Sequence, residues 1–259
     1  MLIAQLSDPH LTTGVLAAEP AAGLHRALGR VLALDPRPDC VVITGDLADR
    51  GRPDEYAALR EIIGRFPLPL HLVAGNHDDR ESLLDAFGGT PWLGGGYSAH
   101  YHVDHPETTV VVLDSLMAGS SAGCLGADQL GWLDGVLAGR PDVPAVVCLH
   151  HPPAPVGIPA ADDVRLTDGD ELAEVIARHP HVVRVIAGHV HRAVTVTFAG
   201  TVLSIAPSTW RQSSFTTSAD EQTGWVAEPT GFLLHRLAPG GCATHLVQVS
   251  HAAGMVCGF

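Results

Sequence analysis

Five short apolar runs, each followed by metal-binding side chains, constrain what this chain can fold into. Four are rich in β-branched residues. Leu2 to Leu6 leads into Asp8-Pro9-His10, and Cys40 to Thr44 into Gly45-Asp46-Leu47-Ala48-Asp49. Leu70 to Ala74 leads into Gly75-Asn76-His77-Asp78, and Ala145 to Leu149 into His150-His151-Pro152. The fifth, Val182 to Ala187, leads into Gly188-His189-Val190-His191. Runs of this length bounded by Gly, Pro or Asp are expected to be buried strands. The polar residues then lie on loops at one rim of a sheet, where α/β proteins place their chemistry.

Helix-like segments separate these strands. Ala21 to Leu34 carries Leu24, Ala27, Leu28, Val31 and Leu32 at helical spacing and stops before Pro36. Pro53 to Ile63 opens on proline followed by acidic residues, as helix starts prefer. Asp79 to Phe87, Ala127 to Leu137 and Asp168 to Arg178 are further amphipathic helices, and Leu130, Leu133, Val136 and Leu137 form a core stripe. After His191 the pattern changes to short strands: Val194 to Phe198, Val202 to Ala206, Gly231 to Leu237 and Thr244 to Val249. This order predicts an α/β protein: βαβ units, then a hairpin-rich second sheet, the two sheets packed together with helices outside. Residues 211–229, polar and rich in Ser and Thr, are expected to form a loop.

The 259 residues are expected to form one domain, with 208–259 its least defined region. The apolar tail (Met255, Val256, Phe259) packs on its own domain or contacts another subunit, so a homo-oligomer, dimer or larger, is expected. Hydrophobic content of 46% and charged content of 17% fit a globular protein with a substantial core. No apolar run approaches the ~18 residues needed to span a bilayer, and the first strand begins too early to leave room for a signal peptide. The cysteines Cys40, Cys124, Cys148, Cys242 and Cys257 show no Cys-x-x-Cys spacing, which suits reduced thiols in a cytoplasmic protein. The formal charge is −13, and all 15 basic residues are arginine. That balance argues against a protein that coats a nucleic-acid polymer. It leaves a small phosphate substrate open if metals supply the local positive charge.

A metal pair needs a ligand able to bridge, and a carboxylate has two oxygens for that. Asp46, directly after a strand, is the candidate bridge. Asp8 and His10 can face one ion, while His189 and His191 reach the same cleft and serve different ions. Asn76 offers a neutral carbonyl oxygen and His150 an imidazole nitrogen. Mixed N and O donors suit Fe, Mn, Zn or Co rather than a thiolate-selected metal. Two divalent ions carry four positive charges; Asp8 and Asp46 remove two and a bridging hydroxide a third, leaving roughly one, the match for a phosphodiester monoanion.

These segments together resemble the calcineurin-like metallophosphoesterases, a family marked by D-x-H, GD-x-x-D, GNH-[DE], a lone H and GH-x-H in that order. Asp46-Leu47-Ala48-Asp49 with Gly51-Arg52-Pro53-Asp54-Glu55-Tyr56, Gly75-Asn76-His77-Asp78-Asp79 and His150-His151-Pro152-Pro153 are similar to the bacterial class III cyclic nucleotide phosphodiesterases and related glycerophosphodiesterases. The match covers about residues 1 to 207. The resemblance implies a four-layer αββα sandwich. It also implies Asp8, His10, Asp46 and His191 around one metal, and Asp46, Asn76, His150 and His189 around the other.

The expected reaction is in-line attack by a metal-bound hydroxide on a small phosphodiester lying across both ions. His77 and Asp46 are the expected catalytic residues, His77 stabilising the transition state or protonating the leaving alkoxide. Asn76, His77 and Arg211 are candidate substrate contacts, and Trp210 offers a stacking face. Asp49 and Asp78 are candidate partners of the ligating histidines. His151 is expected to have a supporting role, and His100, His102 and His105 to share a solvated face rather than form a third metal site. A phosphomonoesterase or pyrophosphatase would want cationic clamps, for which Arg50 and Arg192 are the nearby candidates. A scaffold with a decayed metal site is the remaining alternative, and no expected ligand is substituted here.

Overall fold

The computed structural model describes residues 1–221 and 223–249. The first half runs β1 (Leu2–Leu6), α1 (Ala18–Leu32), β2 (Cys40–Thr44), α2 (Pro53–Ile63), β3 (Leu70–Val73), α3 (Arg80–Phe87), β4 (Tyr101–Asp104) and β5 (Thr109–Val112). There follow α4 (Ala127–Gly139), β6 (Ala145–Cys148), α5 (Pro159–Asp162), α6 (Gly169–Ala177), β7 (Val182–Ala187), β8 (Val194–Phe198) and β9 (Thr201–Ile205). The last elements are β10 (Gln212–Ser213), β11 (Trp225–Val226), β12 (Gly231–Ala238) and β13 (Gly241–Gln248).

Local sequence explains these boundaries. Pro53 supplies a first-turn residue that needs no N–H partner, and the Glu55 carboxylate accepts from Arg50 N at 3.0 Å and Arg52 N at 3.1 Å. The α3 helix starts after Asp79, whose carboxylate accepts from Ser82 N at 2.8 Å.

The first sheet has the order β13-β12-β1-β2-β3 and the second β4-β5-β6-β7-β9-β8. Alternation along β5 and β6 shows how the layers stack. Val110, Val112, Val146 and Cys148 join the cluster that also holds Ile3, Ile43 and Leu72 of the first sheet and Leu24, Tyr56 and Phe87 of α1 to α3. Val111, Ala145 and Val147 point the other way, against Leu133 of α4 and Leu172 and Ile176 of α6. The result is the expected αββα sandwich, since period-two strands buried on both faces need apolar partners on both.

Two expectations are corrected. The second sheet already begins at β4, and the C-terminal hairpin β12–β13 joins the first sheet instead. There β12 pairs antiparallel with β1, from Leu2↔Arg236 to Gln5↔Leu233, and covers an edge that would otherwise be left unpaired. The segment 211–229 is not wholly loop, because Gln212–Ser213 and Trp225–Val226 form a small ribbon.

A third correction concerns His105. His100 and His102 lie against Trp132, with ring centroids 4.8 and 6.2 Å away. His105 has the parity of Tyr101 and Val103, which pack on the core, and it faces the buried ring of His71, 5.8 Å away. The tail that motivated an oligomer lies outside the described residues.

Candidate metal centre

The ends of β1, β2, β3, β6 and β7 meet at one rim and bring all seven expected ligands together. Chain pairing continues past the strands. His10 N donates to Asp46 O at 2.9 Å and Leu11 N to Leu47 O at 3.0 Å, so the loops after β1 and β2 run side by side. The backbone at these loops is unusual. Among the described non-glycine residues six have positive φ, and five of them are candidate ligands: Asp8 (50°), His10 (45°), Asp46 (48°), His189 (72°) and His191 (54°). Asp and His tolerate this region better than most residues, yet each costs about 1–3 kcal/mol unless its surroundings over-determine it. The preceding glycines make the approach possible. A Cβ on Gly45 would fall on the His150 ring, and one on Gly188 would collide with Ser7 Oγ and Thr44 O.

The donor atoms converge in two groups that share Asp46. Asp46 Oδ2 lies 3.4 Å from His10 Nε2, which is 3.0 Å from His191 Nε2; Asp8 Oδ1 is 3.6 Å from that same His191 nitrogen. On the other side, Asp46 Oδ1 lies 3.3 Å from His150 Nε2, itself 3.0 Å from Asn76 Oδ1 and 3.2 Å from His189 Nδ1. One oxygen of Asp46 thus faces each group, the disposition a bridging carboxylate requires.

Hydrogen bonds outside the centre aim the rings. His150 Nδ1 donates to Thr44 O at 2.8 Å and His191 Nδ1 to Arg211 O at 2.9 Å, leaving both Nε2 atoms to the centre. Asp49 Oδ1 sits 3.5 Å from His10 Nδ1, and the Asp49 carbonyl accepts from His77 Nδ1 at 2.8 Å. Asp78 works differently from the expected partner of a ligand. Its carboxylate accepts from Leu47 N, Ala48 N, Gly75 N and the Tyr56 hydroxyl at 2.8 to 3.1 Å, and so clamps the loops after β2 and β3 together. His151 is buried, with Nδ1 2.8 Å from Ser115 Oγ, behind the His189 ring.

The electrostatics fit cations. Burial lowers His189 to about 3 and His191 to about 4, so both imidazoles are neutral and carry lone pairs. Burial would raise the Asp46 carboxyl, but the facing His150 outweighs it and holds Asp46 well below the usual range. Within this buried pair the His150 imidazole is shifted upward, against burial, by the Asp46 charge. A cation between these N and O donors would take the place of His150 as the partner of the Asp46 charge. The set of neutral imidazoles, one amide oxygen and two carboxylates fits a pair of borderline cations.

These buried neutral imidazoles set an acid limit on stability. A histidine whose folded pKa is depressed contributes stability above its ordinary value that is lost as pH falls through the folded one. His191 and His189 are joined by His71 (lowered to about 4) and His235 (about 3) outside the centre. Asp8 and Asp78, raised to about 6 by burial, act in the opposite sense but are fewer. The thermal unfolding midpoint is therefore expected to fall as pH drops from 6.5 towards 4, with and without metal. A midpoint flat or rising over that window, followed by scanning fluorimetry, contradicts this assignment.

Arg211 lies beside the centre. Its guanidinium is held against two indoles, 3.6 Å from the Trp210 ring centroid and 4.2 Å from that of Trp225. Trp225 also lies 4.8 Å from the His191 ring. Sequence reasoning did not find Trp225, because only the ribbon brings β11 back to β10. Arg192 is engaged away from the centre, to Ser213 O and at 2.9 Å to Glu228, and Arg50 lies 3.7 Å from Asp49.

A two-sheet sandwich with N and O donors gathered on the loops of one rim is the architecture of a metal-dependent phosphoesterase. Comparison with known proteins agrees. Residues 1–193 match the family description "calcineurin-like phosphoesterase". A glycerophosphodiester phosphodiesterase, GpdQ, of Enterobacter lignolyticus is 30% identical over 262 residues, covering 98% of this chain and 93% of that protein. The 3',5'-cyclic adenosine monophosphate phosphodiesterase CpdA of Pseudomonas aeruginosa is 31% identical over 244 residues, 93% of this chain and 83% of that one. Among solved structures, a dimetal phosphatase from Danio rerio shares the fold with a TM-score of 0.68 at 18% identity, covering 96% of this chain and 99% of that one. The chain belongs to the calcineurin-like phosphoesterase family. It is a hydrolase of phosphoric esters.

Proposed function

We propose that this chain is a dinuclear-metal phosphodiesterase acting on small monoanionic diesters, namely cyclic nucleotides or glycerophosphodiesters. The observation that carries the reading is the position of Asp46, with Oδ2 3.4 Å from His10 and Oδ1 3.3 Å from His150. Asp8, His10, Asp46 and His191 would hold one ion, and Asp46, Asn76, His150 and His189 the other; Fe, Mn, Zn and Co all suit such donors. When bound, the ions supply Lewis acidity towards the phosphoryl oxygens and a nucleophile at neutral pH.

The chain's own residues do the rest. Only two of the seven ligands are carboxylates, so a divalent pair keeps a net positive charge that attracts a monoanion. A dianionic monoester would draw on further cations, but Arg192 is paired with Glu228 and Arg50 lies beside Asp49. His77 is exposed at the mouth, its ring 4.6 Å from that of His10. With Nδ1–H fixed on Asp49 O, the imidazolium form carries its second proton on Nε2, which it gives to the leaving alkoxide to end as the neutral Nδ1–H ring. Arg211, held against the Trp210 and Trp225 indoles, presents a cation to a phosphate oxygen, and its Nε has no partner among the described residues. Arg211→Ala is expected to raise KM for diesters by about tenfold, roughly 1.4 kcal/mol, with kcat changed less. An unchanged KM removes Arg211 from the substrate site.

The named relatives support a diester substrate, since both GpdQ and CpdA are phosphodiesterases by name. The deciding experiment compares metal-reconstituted enzyme on an aryl phosphodiester, the corresponding monoester, cyclic AMP and a glycerophosphodiester. Preference for the monoester by more than about tenfold overturns the reading in favour of a monoesterase or pyrophosphatase.

The same reading carries a cytoplasmic setting and a homo-oligomer. Cys40, Cys124, Cys148 and Cys242 are free thiols, and no helix among the described residues is long and apolar enough to cross a membrane. The edge strand β13, with half-exposed Leu246, offers a surface for a second copy. A monomeric mass by light scattering overturns the oligomer.

A further inference from the structure

At the far end of the first sheet from the catalytic rim lies a second group of metal-binding side chains. Cys40 opens β2, whose other end leads to Asp46, so the two sit roughly 20 Å apart at strand rise. The parallel register pairs Val42 with His71 of β3, which puts Cys40 and His71 on the same face. His105, just beyond β4 in the second sheet, closes the group. One donor atom from each of Cys40, His71 and His105 lies within 4.8 Å of the others.

The hydrogen bonding here is incomplete. His71 is 3% exposed, yet neither Nδ1 nor Nε2 has a hydrogen-bond partner among the described residues, and buried Nε2 of His105 has none either. Buried polar atoms are nearly always paired, and an unmade bond costs about 1–3 kcal/mol. A neutral buried histidine beside a buried thiol explains neither nitrogen. A cation accounts for one nitrogen of each imidazole, whose lone pair it takes, and for the thiolate of Cys40; the second His71 nitrogen then carries the ring's N–H.

We infer that Cys40, His71 and His105 form a third metal site, selective for thiophilic borderline cations and suited first to Zn(II). A Cys-His-His set is soft enough to prefer zinc over the hard ions that carboxylates and amides bind, and so selects differently from the N and O centre at the rim. Zinc needs donors roughly 3.5 Å apart around a tetrahedron, so the three side chains close in slightly on binding. Zinc binding displaces the Cys40 proton, which leaves as a hydronium or buffer ion. The remaining single positive charge faces Asp39, next in sequence, whose carboxylate is held by Leu2 N at 2.6 Å. Access runs past His105. It lines both a cleft of about 540 Å³ with His71, Trp92 and Val103 and one of about 290 Å³ with Met1, Asp39 and Glu107. The fourth coordination position opens towards these clefts, and the ion fastens the first sheet to the β4–β5 hairpin of the second.

Cobalt separates this site from the rim, because only a thiolate ligand gives a near-ultraviolet sulfur-to-cobalt charge-transfer band. The full-length protein is stripped, titrated with Co(II) and then with Zn(II), and assayed for metal content and diesterase activity. The wild type is expected to show the band, lose it to Zn(II), and bind one more ion per chain than Cys40→Ser or His105→Ala. Both variants are expected to lack the band while keeping the activity, and the loop variant His105→Ala carries the test if Cys40→Ser fails to fold. The inference is overturned by a wild type without the band, by a band that survives either substitution, or by equal metal content in all three proteins.

Discussion

Asp46→Ala is expected to lower kcat/KM for any diester by at least about a thousandfold and to remove both ions at the rim together. Loss of a supporting partner alone typically costs 10- to 100-fold in metal affinity or activity. Here one residue supplies an oxygen to each half of the centre, 3.4 Å from His10 on one side and 3.3 Å from His150 on the other. Its removal also leaves Asp8 as the one carboxylate among the ligands, 4.0 Å from His150 Nδ1, which favours an empty centre rather than a rearranged one. The measurement pairs steady-state kinetics with metal content. A variant that keeps both rim ions and more than about a tenth of the activity shows that Asp46 is not shared. Asp8→Ala, which touches one half only, is expected to lose a single ion.

The second large effect is His77→Ala, expected to reduce kcat by about 10² to 10⁴ on an alkyl leaving group with rim metals unchanged. The pattern across substrates matters more than the size. A nitrophenolate departs without a proton, so a variant lacking the acid should lose far less on an aryl diester. Equal losses on both leaving groups would mean that His77 acts by binding the phosphoryl oxygens, and no loss on either would mean that it is a loop imidazole. Its exposure and its bond to Asp49 O make the substitution unlike a ligand deletion, since nothing buried is left unpaired.

Much of the fold was legible because its strands are short β-branched runs with clear punctuation. Leu2–Leu6, Cys40–Thr44, Val182–Ala187 and Val194–Phe198 lie where the pattern puts them, and Pro53–Ile63 is bounded by its own capping chemistry. The pairing of β12 with β1 was not legible, because an alternating strand announces which face is buried and not whose edge it will cover. His105 misled for a simpler reason: it stands an odd number of residues from His100 and His102, so period two puts it with Tyr101 and Val103 on the core side rather than on the solvated face. The order of the ligand motifs made the candidate centre readable, while its left-handed backbone was not, since Asp and His in turns have many conformations open to them. Asp78 and Trp225 depend on contacts between distant loops and carry no local signal.

The pairing of Leu2 with Arg236 also sets an order of events in the cell. A ribosome releases β1 long before β12, so the strand that leads to Asp8 and His10 keeps one edge open until β12 follows. Ser208, which donates from Oγ to Asp8 O at 2.7 Å, likewise emerges late. Contacts this distant in sequence form slowly. A chain stalled before β12 therefore offers an unpaired strand edge to its neighbours, beside the loop that carries Asp8 and His10.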